Sequence, residues 1–168
     1  KAGTDLVALS YGQTYGIDVV VVRPFNAYGE RQNSGAYAGL LPVVIRTVQA
    51  GEPVVINGDG EQTRDMTYVS DTVRGVLAVA GNPELRDRPI NIGHGTEVTV
   101  NEMVRGLLAA MGRQDHPVVH GPPRIGDVRR LLANIDFARD AVGYAPLVSL
   151  DVGFERTVRW YLTSDAAP

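Results

Sequence analysis

Apolar positions spaced three and four residues apart predict helices along much of the chain. Glycine follows several of these segments, and glycine readily adopts the left-handed conformation that ends a helix. Thr99 and Glu102 have the spacing of a capping box, and Ser70 with Asp71, Asp136 and Asp151 are expected to cap other helices. The predicted helices are residues 2–15, 40–50, 72–80 and 100–111, a short helix from Asp136 to Gly143, and a last helix after Asp151.

A run of β-branched residues between Asp18 and Arg23 predicts a strand that is covered on both faces, as in a parallel sheet. A polar loop is expected after Pro24, to about Ala38. Residues 89–93 predict a second short strand, and residues 131–134 a brief strand or extended piece. Residues 117–130 are expected to be irregular. The predicted fold class is α/β, with the tail of a parallel sheet and a small α+β lobe attached.

The segment that follows the apolar run 54–56 combines a tight turn with an arginine. Gly58, Asp59 and Gly60 predict a hairpin, and residues 62–69 suit its returning strand. Arg64 would project from this hairpin, where its planar fork of donors can grip phosphate oxygens. On residue types alone, the alternative is a surface hairpin with one solvated arginine.

The composition argues against several classes of partner. A net charge of -3 disfavours a general nucleic-acid surface, so a phosphate ligand would be met by a few placed arginines. No cysteine is present, and prolines interrupt the segment around His116 and His120, so we expect no metal site. No apolar run approaches the ~20 residues of a membrane span. We therefore expect a cytoplasmic protein with no nucleic-acid or membrane partner.

Taken together, the segments resemble the C-terminal half of the extended short-chain dehydrogenase/reductase family, the NAD-dependent nucleotide-sugar epimerases and dehydratases. The resemblance covers nearly the whole chain and implies a Rossmann-type sheet with a substrate-binding lobe. Glu30 stands where many relatives have proline, a difference expected to alter only the stiffness of its loop. The motifs, in the family's order, are residues 23–32, residues 58–65 with Tyr68, Val69 and Asp71, residues 91–93 with Thr99 and Glu102, residues 124–127, and Gly143, Tyr144, Pro146, Trp160 and Tyr161.

The resemblance implies ligand contacts for five residues. Arg64 and Arg124 would converge on the diphosphate of a nucleotide-sugar, as two guanidinium groups meeting about two negative charges. The amide of Asn26 would donate to a phosphate or sugar oxygen, and Asp127 would accept from nucleoside hydroxyls. Gln62 and the backbone of residues 55–58 would lie along the nucleotide. Turn formation is the alternative role for Asn26 and Asp127, since both residue types cap turns unaided.

The resemblance also implies a catalytic and cofactor role for Lys1. It aligns with the lysine of the family's Tyr-x-x-x-Lys pair, whose charge lowers the pKa of the tyrosine. Lys1 and Pro24 are the expected cofactor contacts, but no Gly-x-x-Gly-x-x-Gly turn occurs here. NAD is therefore expected to be bound mainly by residues missing from this chain, in a longer parent. Residues 1–35 would be the tail of the dinucleotide-binding sheet and residues 36–168 mainly the nucleotide-sugar-binding lobe.

The resemblance leaves the reaction open. Tyr37 with Ala38 and residues 56–61 are most similar to hexose or N-acetylhexosamine 4-epimerases, which act through a 4-keto intermediate. Residues 1–7 are more similar to the 4,6-dehydratases. We favour a UDP- or dTDP-hexose 4-epimerase over a 4,6-dehydratase. Two alternatives from other functional classes are a non-catalytic nucleotide-sugar-binding fragment and a structural domain without a ligand.

Family members are usually dimers that pair the helix after the lysine. Residues 2–15 are therefore expected to form a homodimer contact in the full-length parent, unless its missing half covers residues such as Leu6 and Leu9.

Overall fold

The helices of the chain lie where the apolar spacing predicts them. The computed structural model describes residues 2–33, 35, 38–86 and 88–163. Positive φ angles at Gly16, Gly51 and Gly143 confirm the predicted helix ends at these glycines. The helices are α1 (Ala2–Tyr15), α2 (Leu40–Gln49), α3 (Val69–Ala80), α4 (Val100–Ala110), α5 (Asp136–Val142) and α6 (Leu150–Thr163).

One predicted capping group is confirmed and the others are wrong. The Thr99 side chain accepts from the backbone N–H of Glu102, whose carboxylate accepts from the backbone of Thr99, which completes the capping box of α4. Helices α3 and α5 have no side-chain cap bond, because Asp71 and Asp136 already lie inside them. Asp151 likewise lies in the first turn of α6.

A parallel pair of strands forms the sheet portion of the fold. Strand β1 (Val21–Pro24) pairs with β6 (Pro89–Ile92) along its full length, which confirms both strands and the parallel arrangement. The strand begins at Val21 rather than at Asp18. Only Val21 of its four residues is buried, and Arg23 and Pro24 are exposed, so the expectation of a strand covered on both faces is wrong for the described residues. Helices α3 and α5 pack beside it through a cluster of buried side chains. The cluster comprises Val79, Leu85, Ile90, Ile92, Ala138 and Tyr144.

The lobe contains six further short strands, and the predicted hairpin is not among them. Strand β2 (Asn26–Tyr28) lies inside the predicted polar loop and pairs in parallel with β5 (Met66–Tyr68). Strand β3 (Val54–Asn57) pairs in parallel with β8 (Val118–Gly121), inside the stretch expected to be irregular. Strand β4 (Thr63–Arg64) pairs antiparallel with β7 (Val98–Thr99). Residues 131–134 contain no strand.

The hairpin prediction is wrong because only its turn forms. Gly58 and Gly60 have φ angles of 77° and 74°, as the glycine pattern requires. The chain that leaves the turn docks on the start of α4, where Asn101 donates its backbone N–H to Gly60 O at 3.0 Å and Val100 donates to Gln62 O at 3.1 Å. The segments before and after the turn therefore diverge: β3 pairs with β8, and residues 60–62 bond to the start of α4.

The lobe is built around the apolar face of α4. Its buried residues have the apolar spacing that predicts this helix. They are Val100, Met103, Val104, Leu107 and Leu108. They belong to one cluster with the inner faces of α2 and α6 and with strands β2, β3 and β5. This cluster fixes the start of α2 and the ends of these strands around a shared hollow. Among the described residues, no helix is both long and apolar enough to cross a bilayer.

Candidate functional site

One cavity of about 340 Å³ brings together all five residues that were expected to bind substrate. Four segments line it: the chain from β2 to the start of α2, strand β3 with residues 62–66, the loop that follows β8, and the first turn of α4. The charged groups all lie on the second and third segments, and the first contributes only uncharged ones. The five expected residues are Asn26, Gln62, Arg64, Arg124 and Asp127.

Arg64 is held in place by its neighbours. Its Nη1 donates to the carbonyl oxygens of Thr63 and Val128, both at 2.7 Å, and its Nη2 lies 2.5 Å from Asp127 Oδ1. Its side chain is only 21% exposed, so the alternative of a solvated surface arginine is wrong. The Nε–H and one Nη2–H remain for an anion in the cavity.

Arg124 offers the second guanidinium group at the cavity. It lies on the loop after β8, two residues before Gly126, whose φ is 78°. Within the described part of the chain its side chain forms no ion pair or hydrogen bond. Arg124 is therefore a free cation beside the paired Arg64.

Two further ion pairs hold the same loop to the body of the lobe. Arg129 donates to both oxygens of Asp59 at 2.8 and 2.9 Å, and this hydrogen bond lowers the pKa of Asp59. Arg130 pairs with Glu97 at 2.5 Å, and its hydrogen bond, together with one from Thr63, lowers the pKa of Glu97. A single exposed ion pair of this kind contributes little to stability. These two pairs therefore orient the loop without fixing it firmly.

Backbone carbonyls orient two of the amide side chains that line the cavity, those of Asn26 and Gln62. Asn26 donates its Nδ2 to Asp65 O at 3.1 Å, across the β2–β5 pair. Gln62, only 8% exposed, donates its Nε2 to Asn57 O at 3.0 Å. Since Asn26 sits in a strand and Asp127 pairs with Arg64, turn formation does not account for either side chain. Each amide keeps a free N–H and an oxygen for a ligand.

Strand β3 presents an unpaired edge to the cavity. Val54 and Gly58 donate their N–H groups to Pro117 O and Gly121 O on the β8 side. Because backbone groups alternate along a strand, the N–H and C=O of Val55 face the opposite side. This edge offers one donor and one acceptor side by side, and Val55, Ile56 and Asn57 line the cavity. That residues 55–58 lie along a nucleotide stays a prediction.

Comparison with known proteins places the chain in a family. The model of the NAD dependent epimerase/dehydratase family matches residues 1–93. The chain is 34% identical over 161 residues to the UDP-glucose 4-epimerase of Mycolicibacterium smegmatis, covering 96% of this chain and 51% of that one. The chain belongs to the NAD-dependent epimerase/dehydratase family. The resemblance seen in the sequence is thereby confirmed.

Further relatives carry both activities named in the family. The dTDP-glucose 4,6-dehydratase of an Actinoplanes strain is 38% identical, covering 96% of this chain and 49% of that one. The UDP-glucose 4-epimerase of Thermotoga maritima, solved with UDP-glucose, superposes with a TM-score of 0.89 at 34% identity and covers 96% of this chain and 52% of that one. The dTDP-glucose 4,6-dehydratase of Streptomyces venezuelae, solved with NAD, has a TM-score of 0.87 at 33% identity and covers 96% and 49%. The expected Rossmann-type α/β fold is confirmed, and the chain spans about half the length of these relatives.

The cofactor contacts expected from the family resemblance stay predictions. Lys1 and Tyr37 lie outside the described residues. Pro24 is exposed at the end of β1, in register with Ile92, and does not line the cavity. No group of His, Asp or Glu in the described ranges is arranged to hold a metal ion.

Several residues of the candidate site were not predicted from the sequence. Gln32 and Gly39 line the cavity from the segment between β2 and α2, and Leu40 lines it from the first position of α2. Met103 lines it from the apolar stripe of α4, where its pattern predicts only core. Asp65 belongs to one of the sequence motifs, but the motif predicts no role for its carboxylate, which is completely buried.

Proposed function

We propose that this chain supplies the nucleotide-sugar-binding half of an NAD-dependent 4-epimerase that acts on a UDP- or dTDP-hexose through a 4-keto intermediate. The observation that carries the proposal is the single cavity lined by Asn26, Gln62, Arg64, Arg124 and Asp127. A fragment of a binding lobe from this family would gather these groups, and a ligand-free structural domain has no need of them.

The ligand is proposed to lie across the cavity with its diphosphate at the charged end. Arg124 is free to meet one phosphate, and Arg64 retains donors for the other. Charge-assisted hydrogen bonds of this kind contribute about 1.5–3 kcal/mol each. Asp127 can accept from ribose hydroxyls through the oxygen that does not face Arg64.

The nucleobase and the sugar are assigned to opposite ends. A pyrimidine carries neighbouring donor and acceptor groups, which match the N–H and C=O of Val55 on the open edge of β3. The uncharged segment with Asn26 and Gln32 then faces the sugar, whose hydroxyls are neutral. This arrangement places the reacting C4 toward β2, next to the carboxyl end of β1, where ligands bind in open α/β sheets.

The cofactor site is only partly represented in this chain. NAD would supply the oxidation and re-reduction of C4. The carboxyl ends of β1 and β6 offer Pro24 and the preceding Arg23, which is paired with Asp5, and these groups cannot cradle a pyrophosphate by themselves. We therefore propose that NAD is bound mainly by residues outside this chain, with Lys1 as the family's catalytic lysine.

The exposed side of α1 supports a proposed homodimer contact. Leu6, Val7, Tyr11 and Tyr15 are each more than half exposed, and Gly12 is the buried residue of the helix. Apolar surface of this extent on one helix indicates a protein partner. A second copy of the chain, or the further half of a longer polypeptide, would cover it.

A 4,6-dehydratase is the second candidate, favoured by the 38% identity to the Actinoplanes enzyme. Incubation of the complete natural polypeptide with NAD and either UDP-glucose or dTDP-glucose distinguishes the two reactions. A C4 epimer supports the epimerase, and a persistent 4-keto-6-deoxy product supports the dehydratase. Absence of any nucleotide-sugar binding would overturn both.

A further inference from the structure

Asp65 is a buried carboxylate next to residues of the binding site, although it does not itself line the cavity. It is 0% exposed and lies between β4 and β5, directly after Arg64. Within the described ranges no cation pairs with it. A buried charge without an ion pair persists only when hydrogen-bond donors surround it.

Four donors from three separate segments meet this carboxylate. Oδ1 accepts from the backbone N–H of His94 at 2.7 Å and from the Thr67 hydroxyl at 3.3 Å. Oδ2 accepts from the N–H of Gly95 at 2.9 Å and of Ala133 at 3.2 Å. The group is therefore fully satisfied by neutral donors, three of which are backbone groups.

The bond from Ala133 and the backbone of Asp65 itself both support parts of the ligand site. Ala133 ends the loop that carries Arg124 and Asp127, and the other end of that loop is fixed by the pairing of β8 with β3. The main-chain oxygen of Asp65 holds the Asn26 amide at 3.1 Å. Arg64 directly precedes Asp65 in the chain, so the backbone position of Asp65 also determines the direction in which the Arg64 side chain leaves the main chain.

Two of the other anchors of the loop are weak. The Arg129–Asp59 and Arg130–Glu97 pairs are exposed to water, where ion pairs contribute little and are screened by salt. The bond from Ala133 to Asp65 is buried. It secures the loop on the side of Ala133. The backbone bond from Thr63 N–H to Arg129 O at 2.9 Å and the Arg64 bonds to Val128 and Asp127 secure its middle.

We propose that Asp65 is a positioning residue that sets the separation between Arg64 and Arg124 for a diphosphate. This inference rests on the proposed function and adds a determinant that touches neither ligand nor cofactor. Ligand affinity then depends on a side chain buried behind the cavity wall.

Asp71 provides a matched control. It is also 0% exposed and accepts two backbone N–H bonds, from Leu147 and Val148, at 2.9 and 3.0 Å. Unlike Asp65 it also pairs with a cation, Arg74, at 2.9 Å. These bonds tie α3 to the chain before α6, and Asp71 does not line the cavity. Loss of either carboxylate is expected to lower stability, and only loss of Asp65 is expected to displace the arginines.

The test measures UDP binding by calorimetry in the complete natural polypeptide, at a temperature where circular dichroism shows each variant folded. We expect Asp65→Asn to raise Kd by about tenfold or more and Asp71→Asn by less than about threefold. Should Asp65→Asn fail to fold, Gly93→Ala takes its place, since an added Cβ would press on Ala133 and on both Asp65 oxygens. It is expected to raise Kd by about fivefold or more.

Equal losses of affinity in Asp65→Asn and Asp71→Asn, or an unchanged Kd in Asp65→Asn and Gly93→Ala, would overturn the positioning role and leave the proposed function standing. A wild-type protein that does not bind UDP or dTDP would overturn both.

Discussion

Removal of the Arg124 guanidinium is expected to weaken nucleotide binding with little effect on stability. Arg124 is exposed and forms no ion pair within the described part of the chain, so Arg124→Ala breaks no internal contact. Surface substitutions of this kind usually change stability by less than about 0.5 kcal/mol. Its effect should therefore appear almost entirely in the complex.

The size of the effect follows from the bonds that Arg124 would make to phosphate. One charge-assisted hydrogen bond contributes about 1.5–3 kcal/mol, which corresponds to a loss of affinity of about 10-fold to 150-fold. Because Arg124 is exposed to water, the lower end of this range applies. We expect Kd for UDP or dTDP to rise by about tenfold, and the difference to shrink as salt is added.

The assay is a calorimetric titration at low and high salt, with Arg113→Ala as a control. Arg113 is an exposed arginine that follows α4 and does not line the cavity, so its removal changes the net charge equally. If both variants weakened binding by the same factor, the effect would be one of overall charge. If Arg124→Ala bound UDP as the wild type does, the two-arginine arrangement would be refuted.

Three further predictions concern the fold that supports the site. Burial raises the pKa of Tyr144 to about 12, and burial with a hydrogen bond to Glu30 does the same for Tyr68. Because the folded state favours the neutral phenols, their contribution to stability should be constant up to about pH 10 and should be lost between about pH 10 and 12, as denaturant melts across that range would show. A flat profile would contradict these shifts. Thr99→Ala removes the capping box of α4 and should cost about 1 kcal/mol, whereas a loss near zero would mean the cap contributes nothing. Gly153→Ala places a Cβ against the buried ring and hydroxyl of Tyr28, so urea melts should show a loss of about 1–3 kcal/mol, and wild-type stability would contradict this packing.

The helices of this chain could be predicted because their signals are local. Apolar spacing and the Thr99–Glu102 box act within a few turns, and the structure confirms both. The short strands could not be predicted, because their stability comes from partners distant in sequence. Val54 pairs with Val118, and no local pattern identifies such a partner. The turn at Gly58 was predicted from its glycines, but the contacts on α4 decide where the chain goes next.

The candidate site was predicted more completely than the lobe that forms it. Arg64, Arg124 and Asp127 are polar groups in recognisable motifs, and all three line one cavity. The role of Asp65 depends on backbone N–H groups of residues such as Gly95 and Ala133, which have no signature in a sequence. The bond between Glu30 and Tyr68, at 2.5 and 2.6 Å, was likewise not foreseen, since Glu30 was expected only to change loop stiffness.

A crystal structure of the complete natural polypeptide with bound UDP tests the central claim most directly. The account predicts that oxygens of the diphosphate lie about 2.7–2.9 Å from guanidinium nitrogens of both Arg64 and Arg124, with the uracil beside Val55. A diphosphate bound elsewhere, or bound in this cavity while either arginine points away from it, would contradict the account.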